Sequence, residues 1–115
     1  MAESLILNKD GERETLGSGV QLLRHGNLRT LVIQTATYGT VAGITLSEKD
    51  RPPFTITGFV LKHYNGSYGA LAVIYIYASG QIGGATYWSA YHNGNAGTSI
   101  VSTDHIIGEV TWSVV

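Results

Sequence analysis

In "QLLRHGNLRTLVIQTAT" only Gly26 and Asn27 separate two extended runs. A connection of two residues must turn the chain straight back on itself. Glycine at the first central position suits a type II′ turn, whose twist matches that of paired strands. The sequence therefore predicts a β-hairpin over residues 20–37. No 3.6-residue apolar period persists over a helical length anywhere in the chain. Fifteen glycines are spread along it, and its two prolines stand side by side at Pro52 and Pro53. The expected class is all-β.

A short strand is expected at Val41 to Leu46. "SEKDRPP" then breaks the extended pattern, because proline lacks an N–H and restricts its predecessor, so residues 47–53 are read as a loop. Phe54 to His63 and Tyr68 to Tyr77 form a second hairpin across "YNGS", where Asn65 and Gly66 tolerate positive φ. In "LAVIYIY" both strand faces are apolar: Leu71, Val73, Tyr75 and Tyr77 point one way, and Ala72, Ile74 and Ile76 the other. One of these faces is expected to meet another sheet or another subunit. Ser79 and Gly80 make a further turn. A closing strand puts Ile106, Val110, Trp112 and Val114 on its buried side and Glu109, Thr111 and Ser113 on the other. About eight short strands with glycine-rich turns predict an antiparallel β-sandwich of jelly-roll type, with residues 1–115 as one domain and 1–18 as an N-terminal extension or linker.

Charged residues make up 13% of the 115, about half the roughly 25% of typical soluble domains. Much of the surface must then be uncharged polar or covered by a partner, which points to an oligomer. Seven Lys and Arg against eight Asp and Glu are scattered along the chain, so no basic patch favours nucleic acid. The absence of cysteine excludes disulfides, Cys-ligated zinc and thiol nucleophiles. No apolar run suits a membrane span, and "MAESLILNKDGERE" does not read as a signal peptide.

Catalytic patterns are weak. His25, His63, His92 and His105 lack zinc-motif spacing. Asp104 and His105 are neighbours and would point to opposite faces of a strand, so they do not make a base and its orienter. Asn8, Asp10 and Glu12 alternate as in a calcium loop, but Gly19 stands where the closing glutamate is required. We expect neither metal nor cofactor, and no enzyme.

The remaining feature is "TYWSAYHNGNAG", where large rings adjoin the most turn-prone run of the chain. In an extended segment Tyr87, Ser89 and Tyr91 share one face, while Trp88 and Ala90 share the other. The loop after this strand would present Tyr91, His92, Asn93 and Asn95 to a saccharide, with Tyr87 or Trp88 anchoring it from beneath. Rings stack on sugar C–H faces, and amides both donate to and accept from hydroxyls.

The order of "VQLLRHGNLRTLVIQTA", "ITLSEKDRPPFTITGFV", "VIYIYASGQI" and a terminal "IIGEVTWSVV" resembles the C-terminal head modules of tail-fibre and receptor-binding proteins from phages of Gram-positive bacteria. The likeness runs over most of the chain. It implies a trimeric β-sandwich head at the tail tip of a virion, binding host cell-surface polysaccharide without chemistry. No shaft precedes residue 1, so the resemblance implies an excised head or a separately encoded subunit. Two alternatives remain open: a structural trimeric tail component, or a small glycan-degrading enzyme.

Overall fold

The computed structural model describes residues 11–64, 67–89 and 100–115. These form one antiparallel sheet of seven strands: β1 Gly11–Gly17, β2 Val20–His25, β3 Leu28–Thr37, β4 Ile56–Tyr64, β5 Ser67–Ile76, β6 Ile82–Ser89 and β7 His105–Ser113. The strand order is β1-β2-β3-β7-β4-β5-β6. The all-β class holds. The ladder is a single sheet, whereas the sequence pattern predicts the two sheets of a jelly roll.

The first hairpin forms over residues 20–37, with Val20 paired to Ile33 and His25 to Leu28. Gly26 has φ +59°, and Asn27 is not among the residues with positive φ, as a type II′ turn requires. The second hairpin also forms, with Ile56 opposite Ile76. Two expectations are corrected. Val41 to Leu46 is not a strand: a short helix, α1 Tyr38–Ala42, takes its place, and Thr45 makes only an isolated bridge to Gln81. Thr37 starts the helix by accepting from the Thr40 N–H at 3.3 Å, and Gly43 ends it by donating to the Gly39 carbonyl at 3.0 Å. Local capping therefore overrides the β-branched residues, and Val41 turns into the core. Residues 11–17, expected within an extension, form edge strand β1 against β2.

The joint of the sheet is short. β4 and β7 are paired only at Leu61–Ile107 and Lys62–Ile106. Beyond it, valines of each strand occupy the places of absent side chains on the other. A Cβ on Gly58 would lie 2.7 Å from Val110, and one on Gly108 would lie 2.9 Å from Val60. Only glycine permits this close crossing. Side chains from both portions of the sheet then enter one core: Leu22, Leu31, Ile33 and Val110 from one, Val60, Ala72, Ile74 and Ile76 from the other.

The closing strand behaves as expected. Ile106, Val110 and Trp112 are buried, and Val114 packs against the same core. The Trp112 Nε1–H also donates to the Asp50 carbonyl at 2.8 Å. Trp112→Ala should lower unfolding free energy by about 3 to 5 kcal/mol. Trp112→Phe keeps most of the packing but strands the carbonyl, and should cost about 1 to 3 kcal/mol. Denaturant unfolding of the two variants measures both terms, and equal stability of Trp112→Ala and wild type would contradict this role.

Candidate functional site

Antiparallel pairing brings several loop ends to one end of the sheet. β4 finishes and β5 begins there, with Tyr64 opposite Ser67. β6 finishes beside them, with Ser89 opposite Ala70, and β7 begins there, since Ile106 pairs with Lys62. The end of β4, the start of β5, the end of β6 and residues 100–104 therefore share one neighbourhood. Scaffolded loop clusters of this kind are where binding residues usually lie.

Lys62, His63, Asp104 and His105 gather at this end. Lys62 lies on the core-facing side of β4 and is 1% exposed, and its Nζ is 3.5 Å from Asp104 Oδ2. Burying an ammonium is costly without an opposite charge, and Asp104 supplies one. Asp104 also fixes the chain around it. Its Oδ2 accepts from the Val101 N–H at 2.8 Å, and its carbonyl accepts from the Tyr38 N–H at 2.7 Å. The His63 and His105 rings meet edge to face, with centroids 6.4 Å apart. Four histidines read as isolated in the sequence thus include one spatial pair. Sheet order produces it, and no local motif announces it.

Of the expected site residues, Tyr87 and Trp88 lie on β6. Tyr91, His92, Asn93 and Asn95 lie outside the described residues. Within β6 the ladder shifts register: Thr86 pairs with Ala72 and Trp88 with Leu71, so Tyr87 is the extra residue of a β-bulge. A bulge bends its strand and re-aims the residues after it, which is why bulges recur beside binding sites.

The "SEKDRPP" loop has a different character. Glu48–Asp50 form a 3₁₀ turn, and the Asp50 side chain is fully buried. Hairpin register places Arg24 directly opposite Arg29, both on the buried face. Two guanidinium groups in that position would repel each other, and Asp50 sits between them. It accepts from Arg24 Nε and Nη2, both at 2.8 Å, from Arg29 Nε at 2.7 Å and from Ser47 Oγ at 2.8 Å. Glu14 takes a further Arg24 bond at 2.6 Å, and Arg29 also donates to the Gly26 and Leu28 carbonyls. The Arg24 bonds, joined by those from Arg29 and Ser47, hold the Asp50 carboxyl well below the usual carboxylate range despite burial. The Arg24 guanidinium is in turn held more firmly protonated by its bonds to Asp50 and Glu14. The Asp50 carboxylate is saturated by these donors, so the loop acts as an internal clamp.

Among the described residues, no three His, Asp or Glu side chains gather as metal ligands would, and no helix is long and apolar enough to cross a membrane. No protein-family model matches the chain, and comparisons with curated proteins and with solved structures found no match.

The clamp can be tested in two ways. Asp50→Ala leaves two buried arginines without their shared counter-charge and should cost about 3 to 5 kcal/mol. Because the folded carboxyl titrates below its unfolded value of about 3.9, its stabilisation is complete above that pH and is lost as pH falls through the depressed folded value. Urea unfolding between pH 7 and pH 2 should show wild type losing stability below about pH 4. Asp50→Asn should show a shallower loss over that range, and parallel curves would contradict the assignment.

Proposed function

We propose that this chain is a non-enzymatic head that binds cell-surface polysaccharide of a Gram-positive host at the tail tip of a phage, working as a homotrimer of sandwich-like modules. The observation that carries the reading is the course of β6. A strand bearing Tyr87 and Trp88 bulges at Tyr87 and ends at Ser89, at the end of the sheet where Tyr64, Ser67 and the start of β7 also lie. The sequence that continues it, "AYHNGNAG", offers a ring, an imidazole and two amides and carries no acid or base of the carboxylate or ammonium type. Such a set suits sugar hydroxyls and C–H faces.

Lys62 and Asp104, the ionic groups at this end, bind each other. That arrangement favours recognition over acid–base cleavage, which needs two acids facing one cleft. A shallow uncharged site of this kind should bind a saccharide near millimolar, about −4 kcal/mol per site. Three sites on one trimer, and several trimers on one particle, would raise apparent affinity by roughly two to four powers of ten.

The test is adsorption to purified cell walls by wild type and by a Tyr91→Ala, Asn93→Ala double variant with unchanged melting temperature and mass. Wild type should adsorb saturably, release no sugar fragments and change little between low and moderate salt, whereas the variant should adsorb at least tenfold more weakly. Equal adsorption would remove the site from residues 91–95. Release of fragments would establish the enzyme, and failure of wild type to adsorb to any wall would leave the structural tail component as the better reading.

A further inference from the structure

The glycines at the start of β6 hold a feature that neither the core nor the candidate site uses. Gly83 pairs with Tyr75 and Gly84 with Ile74, so alternation turns Gly83 to the outer side of the sheet and Gly84 to the core side. A tyrosine fills the space beside each. A Cβ on Gly83 would lie 3.1 Å from both Cε2 and Oη of Tyr77, and one on Gly84 would lie 2.9 Å from Cε1 of Tyr38. Tyr38 comes from α1 and packs against the core, whereas Tyr77 is 38% exposed.

Tyr77 stands across from Gln81, to whose carbonyl its N–H donates at 3.0 Å, and Gly83 is two residues further along β6. For the far end of the ring to reach Gly83, the side chain must lean over the strand, and the missing Cβ allows it. Tyr75, opposite Gly83, holds its ring 6.1 Å from that of Tyr77, centroid to centroid, with the planes 30° apart. Two near-parallel rings thus share the outer surface at this corner of the sheet. The turn that follows Tyr77 holds them in place. Its Gly80 N–H donates to the Tyr77 carbonyl at 2.8 Å, and the Gly80 carbonyl accepts from the Leu46 N–H at 2.9 Å.

We infer that Tyr75 and Tyr77, seated beside Gly83, form a second saccharide subsite, remote from the loops of the candidate site. Tyr77 is seven residues along β5 from Ala70, the partner of Ser89, which separates the two by about 23 Å. Three features select the ligand. Aromatic rings held against a sheet stack on sugar C–H faces. Thr57, opposite Tyr75 on β4, and Gln81 are exposed beside the rings, and their hydroxyl and amide can donate to and accept from sugar hydroxyls. The segments 54–58, 75–79 and 81–85 contain no charged residue, so they offer an ionic ligand no counter-charge. A strand added to the edge of β6 fits less well, because the Gly84 backbone already makes a hydrogen bond to the Tyr38 hydroxyl. Burial, and then the nearby Tyr77 hydroxyl, raise the Tyr38 hydroxyl above its ordinary value, so it stays protonated through neutral pH. The ligand class rests on the glycan-binding role proposed above, and the position does not.

The test combines adsorption to purified Gram-positive cell walls with nitration of wild type by tetranitromethane, located by mass spectrometry. Oligosaccharides released from the same walls should protect Tyr77 from nitration by about threefold or more, and Tyr77→Ala should weaken adsorption by a similar factor with unchanged solution mass. Tyr77→Phe keeps the ring and should adsorb nearly as wild type does. Gly83→Ala places a methyl beneath the flexible end of the Tyr77 side chain, so the fold should survive with the ring displaced, and adsorption should fall as in Tyr77→Ala. Unprotected Tyr77 would overturn the inference, as would wild-type adsorption by Tyr77→Ala. A fall in the solution mass of Tyr77→Ala would make the ring a subunit contact and overturn it too. If Tyr77→Ala does not fold, protection of wild type decides alone. The Tyr91→Ala, Asn93→Ala variant separates the two sites. Loss of adsorption by that variant and by Tyr77→Ala supports both, and loss by Tyr77→Ala alone supports this subsite and counts against residues 91–95. Loss by the double variant alone sinks this subsite and leaves the proposed function standing.

Discussion

A carboxylate shared by two buried arginines is the constraint around which the rest of the chain is arranged. Once Gly26 and Asn27 form the tight turn, Arg24 must face Arg29, and alternation places both beside Leu22 and Leu31 on the core side. Such a pair cannot stay there without an opposite charge, because uncompensated burial of one ion costs several kcal/mol. Asp50 meets the requirement and so determines where the 47–53 loop lies. The backbone of the same residue receives the Trp112 indole N–H, and Trp112 pairs with Arg29 across β3 and β7. One residue therefore links β2, β3 and β7 to the segment that leads into β4. An exposed surface ion pair, worth about 0 to 1 kcal/mol, would have no comparable leverage.

From that anchored segment the chain enters its second half, and here the decisive constraint is steric. Gly58 and Gly108 admit valine side chains from the opposing strand, so β4 and β7 cross closely after only two paired positions. The crossing brings both portions of the sheet onto one core. It also turns the other side of β4 and β5 outward, which leaves Phe59 and Leu61 exposed. The outward turn of Phe59 and Leu61 and the continuous core are two consequences of a single bend.

Much of this is legible in the residues. The "GN" and "YNGS" hairpins, the two apolar faces of 71–77 and the buried side of the closing strand come from period and turn chemistry alone, and the structure agrees with each. The clamp is half legible. Arg24 and Arg29 lie symmetrically about the turn and share parity with Leu22 and Leu31, so their burial as a pair can be read, and with it the need for an acid. Which of eight acids serves cannot, since Asp50 is 26 residues from Arg24 and is brought there by tertiary packing. The α1 helix escapes the sequence pattern for a local reason. Its β-branched residues favour a strand, and a five-residue helix held by a threonine cap and a Gly43 contact has no amphipathic period to display. The Tyr87 bulge escapes it because alternation assumes an unbroken ladder, whereas the extra residue is visible only against its partner strand.

The two ends of β7 have separate tasks. Trp112 at one end belongs to the clamp, and His105 at the other borders the loops of the candidate site; seven residues of strand set them about 23 Å apart. Sites so far apart, with no shared partner, should contribute to free energy independently. The clamp can hold the fold while the sequence between Ser89 and Ile100 changes, provided β6 still reaches its register with β5 and Asp104 still meets Lys62. Under the binding role we propose, a scaffold divided in this way would let the ligand vary. Residues that set the surface recognised are then not those that keep the sheet folded, and a change of ligand need not be offset by a change in the core.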